Sequence, residues 1–329
     1  NGDAGGDPFV AVSVAPLEVA LSVNSHQEAS VDVHYFDGRL LTAADLRTEF
    51  TNVGEVTVDV EGVGPDGRLS QISVASTAQS GRHTHTGQYH FLLELGLNGA
   101  VQHLDAELSV LGTSGDDTIM LDVQGEADIL DLSLDVDTGA GNDSIGITLD
   151  ITPRIASDVD TSIDLGSGND LLNAALITGL AGLLNLSLDV LGGDGDDTVR
   201  IKWIVPPEPI FPPEPILVAD VMIDTGAGND EGEFEFEMLT GKNSTPLLEV
   251  QLEMLGGTGR DKLSAKAEFD GPATGFLAMR LLGGDDDDVL RLRNKRLPAG
   301  LATFLLIDGG NGIDRCFGRP GVTEINCER

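Results

Sequence analysis

The stretch "DVLGGDGDDTVRI" (189–201) decides the fold. Its centre, Gly192 to Asp197, holds three glycines and three aspartates, and apolar residues close in on both sides. Glycine admits positive φ and aspartate suits turns, so these six residues read as a tight turn between two strands. Variants follow throughout the chain: "GTSGDDTI", "TGAGNDSI", "LGSGNDLL", "TGAGNDEG", "GGTGRDKL", "GGDDDDVL" and "GGNGIDRC". Aligned on the last aspartate, the eight turns end at Asp117, Asp143, Asp170, Asp197, Asp230, Asp261, Asp288 and Asp314, with spacings of 26, 27, 27, 33, 31, 27 and 26. A common period with scattered insertions marks a stacked-repeat protein.

Each unit has one anatomy. Before the turn comes an alternating run such as "LDLSLDV" (130–136), with Leu130, Leu132, Leu134 and Val136 on one face. After it comes a second, such as "SIGITLDI" (144–151), with Ile145, Ile147, Leu149 and Ile151 on one face. Period-two alternation predicts half-buried strands. The unit is therefore strand, acidic turn, strand, variable loop. Antiparallel hairpins would also use such turns, but the near-constant period favours an all-β, parallel β-solenoid of about eight coils, roughly 35–40 Å long at ~4.8 Å per coil. The insertions "PPEPIFPPEP" (206–215) and "LTGKNSTP" (239–246) fall at the variable-loop edge, where proline cannot interrupt a ladder. Residues 1–100 read as a β-rich N-terminal cap or small domain, and 101–329 as the solenoid. Within the cap, "LLTAADLRTEF" (40–50) is predicted to be a short helix with Thr42 as N-cap, and "VTVDVEGVGPDGRLSQISV" (56–74) a degenerate coil.

The formal charge of −36 argues against nucleic acid and anionic membranes as partners and favours cations. Aromatics make up only 4% of residues, so the core must be largely aliphatic. No apolar run is long enough to span a bilayer. The start "NGDAGGDPF", without an initiator Met, reads as an exported, processed product. In a secreted chain Cys316 and Cys327 form a terminal disulfide; in a cytosolic one they are two free thiols.

Stacked turns place their aspartates in ladders. Two carboxylates ~5 Å apart repel by roughly 1–3 kcal/mol, so the side chains splay into water or cations sit between them. Carboxylates and glycine carbonyls offer all-oxygen sites, which suit Ca²⁺. "GGDGDDTVR" (192–200) and "GGTGRDKLS" (256–264) match the nonapeptide G-G-x-G-x-D-x-U-x, and "GGNGIDRCF" (309–317) nearly does. In these residues the chain resembles the repeats-in-toxin, or hemolysin-type calcium-binding, family over about 112–329. The resemblance implies a parallel β-roll outside the cell that binds Ca²⁺ through loop carbonyls and the sixth-position aspartate. The metal ligands it implies are Asp117, Asp143, Asp170, Asp197, Asp230, Asp261, Asp288 and Asp314, with Asp194, Asn142, Asn169 and Asn229 beside them. The sequence departs from that pattern: each nonapeptide stands alone in a coil of about 27 residues, Gly232 replaces an inward hydrophobe, Asp286 replaces a glycine, and Thr138, Leu165 and Thr225 replace the first glycine.

Other chemistry is sparse. His83, His85 and His90 lack a completing ligand nearby. Arg291, Arg293, Lys295 and Arg296 form the one dense basic run, and Arg200 and Lys202 flank Trp203. A polysaccharide lyase or epimerase would seat its base in such a place, but the acids recur by period whereas a catalytic site is singular. The sequence thus points to a non-catalytic, secreted or cell-surface structural protein, calcium-stabilised and self-assembling into a fibre or layer, with strand 9–15 as a contact between copies. The alternative is a soluble calcium-binding or adhesion module for glycans or a surface.

Overall fold

The computed structural model describes residues 17–25, 29–36, 46–51, 55–63, 69–78, 85–95, 103–180, 182–207, 215–239 and 244–328. All the regular structure is β, as expected, and no helix occurs among the described residues.

The solenoid has two parallel sheets. One holds the strands that precede each acidic turn: β7 (His103–Thr113), the second halves of β8 (Thr118–Gly139) and β9 (Ser144–Asp164), β11 (Leu183–Leu191), β13 (Ile216–Asp224), β15 (Leu247–Thr258), β17 (Thr274–Asp285), β19 (Gly300–Asn311) and β21 (Thr323–Ile325). The other holds those that follow: the first halves of β8 and β9, then β10 (Leu171–Thr178), β12 (Thr198–Val205), β14 (Glu231–Leu239), β16 (Lys262–Asp270), β18 (Val289–Lys295) and β20 (Arg315–Gly318). Equivalent residues pair in register from coil to coil: Leu186 meets Ala219, which meets Val250. The antiparallel meander is thereby excluded for the array. Seven full repeats separate Asp117 from Asp314. In the chain the proline-rich insertion falls between β12 and β13 and the second insertion between β14 and β15, and 208–214 and 240–243 lie outside the described residues.

Alternation fills the space between the sheets. Val199, Ile201, Trp203 and Val205 point inward from β12, while Arg200 and Lys202 point outward. The described core is largely aliphatic, with Phe234 and one row of three aromatics among the exceptions. Trp203 packs on Phe236 with centroids 4.7 Å apart and planes tilted by 46°, Phe236 meets Phe269 edge-on at 5.7 Å, and the Trp203 indole N–H donates to Thr178 Oγ1 at 2.8 Å. Gly232 is the expected gap in the inward series; a Cβ there would lie 2.9 Å from Leu263 and 3.0 Å from Met254, so those longer side chains have taken its place.

The N-terminal strands are antiparallel. Strand β1 (Leu17–Ser25) lies between β8 and β6 (His85–Leu95), and β2 (Ala29–Phe36) between β7 and β5 (Leu69–Ala78). They cover the first strand of each solenoid sheet, an edge that would otherwise offer unpaired backbone. Two expectations change here. Residues 46–50 of the predicted helix lie in strand β3 (Leu46–Thr51), paired with β6, and the remainder lies outside the described residues. Pairing of the Leu46–Thr51 backbone with a long neighbouring strand overrides a local helix preference. The described residues of 56–74 are no solenoid coil: β4 (Glu55–Val63) and β5 pair antiparallel, and 64–68 lie outside the described residues. Strand 9–15 lies outside the described residues.

Candidate metal centre in the stacked turns

The turns separate the aspartates and asparagines of the sequence into two rows. The eight sixth-position aspartates, Asp117 through Asp314, form an inner row, each at most 2% exposed. They do not splay into water. Each lies two residues before the first inward position of its strand, as Asp197 precedes Val199 and Asp230 precedes Gly232, and so shares that strand's inner face.

The inner row is a hydrogen-bond ladder. The Asp170 N–H donates to Asp197 Oδ1 at 2.8 Å, the Asp197 N–H to Asp230 Oδ1 at 2.7 Å, and the Asp230 N–H to Asp261 Oδ1 at 2.9 Å. The same bond joins Asp117 to Asp143, Asp143 to Asp170, Asp261 to Asp288, and Asp288 to Asp314. At the end of the array the Asp314 N–H donates to the Glu328 carboxylate, and the Glu328 N–H donates to Asp314 O at 2.8 Å. Glu328 thus stands where a ninth aspartate would. The Cys316–Cys327 disulfide pins this segment against the eighth coil, in line with the disulfide reading.

An outer, exposed ladder runs the opposite way. The Asn142 N–H donates to Asp116 Oδ1 at 2.8 Å, Asn169 N–H to Asn142 Oδ1 at 3.0 Å, Asp196 N–H to Asn169 Oδ1 at 2.9 Å, and Asn229 N–H to Asp196 Oδ1 at 2.8 Å. Asn and Asp serve equally because both present Oδ1. Asp194 belongs to neither row: its side chain is exposed, while its backbone bridges Gly166 and Gly168. Sequence reasoning missed this division of labour, which Asn or Asp at the fifth position of six of the eight turns signals; Arg260 and Ile313 are the exceptions.

Glycine lets the turns stack this closely. At Gly168, φ is +139° and a Cβ would sit 1.4 Å from Gly141 O. Asp286 occupies the equivalent place in the seventh turn with φ +81°, the one turn here built with a side chain at that left-handed position.

One oxygen of the inner carboxylates remains. Oδ2 of Asp143, Asp170, Asp197, Asp230, Asp261, Asp288 and Asp314 is buried without a hydrogen-bond partner. Two of these carboxyls have a hydroxyl beside them: Thr138 and Thr225 act to lower Asp143 and Asp230, while Thr138 Oγ1 donates to Leu165 O at 2.7 Å and Thr225 Oγ1 lies 3.1 Å from Leu255 O and Gly256 O. Burial pushes the carboxyls of Asp170, Asp230 and Asp288 up to about 6 and those of Asp197 and Asp261 up to about 7; it also raises Asp143. Backbone hydrogen bonds oppose the rise and neighbouring carboxylates add to it. A row of ionised, half-satisfied buried carboxylates is costly unless a positive charge joins it.

That chemistry fits a hard cation: oxygen donors only, a row of unpartnered carboxylate oxygens, and backbone carbonyls close by. Among the described residues no three acidic, His or Cys side chains converge on one point. Any cation here would take one inner carboxylate per turn and complete its shell with carbonyls or water.

The other candidates resolve differently. Trp203 is wholly buried and offers no sugar platform. Arg200 pairs with Glu231 at 3.3 Å, and Lys202 approaches Glu235 and Glu237 at 4.0 and 3.9 Å. Beside them a shallow recess of about 420 Å³ opens over Gly146 and Ala175. The side chains of His83, His85 and His90 lie outside the described residues. No family model, curated protein or solved structure matches this chain. No helix among the described residues is long and apolar enough to cross a membrane.

Proposed function

We propose that this chain is a non-catalytic, extracellular scaffold: a β-solenoid of the repeats-in-toxin type, stabilised by Ca²⁺ along its acidic turns and associating with copies of itself. The observation that carries the metal reading is the row of seven buried Oδ2 atoms without partners. An asparagine at each place would supply the same Oδ1 acceptor without a charge, yet all eight turns carry aspartate. Asp143, Asp170, Asp197, Asp230, Asp261, Asp288 and Asp314 would hold the cations with turn carbonyls. When bound, Ca²⁺ would neutralise the row; the hydrogen-bond ladder itself is made by the protein alone.

The structural reading is supported by repetition. The same carboxylate recurs in every coil and faces the core, which suits cohesion between coils. The terminal disulfide supports an oxidising, extracytoplasmic setting. The test is thermal melting in EDTA and in millimolar Ca²⁺, with elemental analysis of the purified protein. A raised midpoint and bound calcium are expected. An unchanged midpoint with no metal would leave the turns as a purely hydrogen-bonded device. Sedimentation velocity tests association, and a monomer under all conditions would remove that part.

A further inference from the structure

Charge is unevenly distributed along the solenoid. Between residues 101 and 199 the one basic residue is Arg154, whereas 13 of the 19 Lys and Arg lie in 200–319. The two ends also present their charge on different sheets.

On the outer side of the first sheet, the early coils are a field of carboxylates. Asp135 and Asp137 on β8, Asp158, Asp160 and Asp164 on β9, and Asp189 on β11 are all exposed. They are in near-register: Asp137 lies beside Asp164, Asp160 beside Ser133, and Asp189 beside Ser162. Among the described residues none of these acids pairs with a base.

On the outer side of the second sheet, the last coils carry the opposite charge. Lys295 pairs with Glu268, and Arg296 with Asp270 at 3.6 Å. Lys262, Arg291, Arg293 and Arg315 make no ion pair among the described residues. Glu328, adjacent to Arg315, turns its carboxylate inward to the Asp314 N–H. Arg291 lies 5.3 Å over the ring of Phe317, which is 48% exposed. An unpaired guanidinium stacked on an exposed aromatic is the residue pair that interface cores favour.

From this complementarity we infer that the basic patch of coils six to eight docks on the acidic face of coils two to four of a second copy. The inference rests on the self-association proposed above and supplies its interface. The two faces lie on opposite sides of the solenoid, so each copy keeps one free acidic face and one free basic patch. Such a heterologous contact does not close on itself and propagates as an open chain. The patches are about four coils apart, which staggers successive copies by roughly 20 Å at ~4.8 Å per coil. The net charge of −36 is no bar: at physiological salt charges beyond about 8 Å are screened, and the local contact decides.

The test uses two full-length variants, Arg291→Glu/Arg293→Glu and Asp135→Lys/Asp160→Lys, in millimolar Ca²⁺ at physiological salt. All four positions face solvent, and melting curves check that both variants fold. The wild-type chain should sediment as concentration-dependent oligomers that dissociate in half-molar salt. Each variant alone should associate at least tenfold more weakly. An equimolar mixture should recover association, because the variants then present complementary faces to each other. Variants that associate like the wild type overturn this interface but leave self-assembly standing. A mixture that fails to recover overturns it as well, and points the basic patch to another anion such as an acidic polysaccharide. A wild-type chain that stays monomeric throughout removes the interface and the assembly together.

Discussion

Replacing Asp197 by Asn separates the two roles of the inner row. The amide keeps the Oδ1 acceptor that binds the Asp170 N–H at 2.8 Å. The oxygen without a partner becomes an uncharged Nδ2. Burial pushes the Asp197 carboxyl from 3.8 up to about 7, against the backbone hydrogen bond from Asp170 and with help from the charges of Asp170, Asp230 and Asp196. At ~1.4 kcal/mol per unit, ionising this group in the folded chain costs about 4 kcal/mol. The folded-state value lies above the unfolded one. The metal-free wild type therefore has its full stability below about pH 4 and loses it as pH rises through about 7. The Asp197→Asn variant escapes that loss but buries an unpartnered amide, at about 1–3 kcal/mol. In EDTA at pH 8 the variant should be more stable by about 1–3 kcal/mol, or roughly 2–10 °C in melting midpoint. At pH 5 the advantage should vanish or reverse, since the wild-type carboxyl is then protonated. In millimolar Ca²⁺ at pH 8 the order should invert, because the variant lacks one carboxylate ligand. Circular-dichroism melts under these three conditions suffice. A variant less stable than wild type in EDTA at pH 8 would refute the idea that the buried charge is a burden awaiting a cation.

Gly168→Ala places a Cβ against Gly141 O at a φ of +139°, and should abolish cooperative melting or cost more than about 4 kcal/mol. Asp286→Gly removes a side chain from a left-handed position at φ +81° and should raise the midpoint in EDTA by the equivalent of about 1 kcal/mol. Reducing Cys316–Cys327 opens a short loop, 11 residues in separation, and should cost about 3 kcal/mol. Hydrogen exchange should show the protection loss beginning in the last two coils. Glu328→Ala, with the disulfide intact, leaves the Asp314 N–H without its acceptor and should produce a smaller loss of about 1–3 kcal/mol in the same place.

The array was legible because its signals are local and repeated. Eight acidic turns at one spacing, with period-two runs on either side, are satisfied together by parallel coils. The cap was not, because its pairing is set by distant partners: residues 46–50 look helical alone and lie in a strand beside β6. The direction of the inner aspartates was readable and was passed over. Asp197, Val199, Ile201 and Trp203 share one parity, so the alternation that buries the hydrophobes buries the carboxylate too. The outer ladder needed a recognition that Asn142, Asn169 and Asn229 serve through Oδ1. Glu328 gave no motif at all, since it enters the ladder from a strand-like tail outside the repeat.

The inner ladder has a polarity that bears on what can be cut away. Each coil offers an N–H toward the C-terminal end and a carboxylate toward the N-terminal end. Removing coils from the front leaves a carboxylate facing water, which can hydrate it. Removing them from the back, with Glu328, leaves the last N–H to water in place of a carboxylate. Either cut also strips an end of its cover, the N-terminal strands from the first coil or the disulfide-bonded tail from the last. Whole units deleted from the middle, leaving both ends in place, should be the most readily accepted.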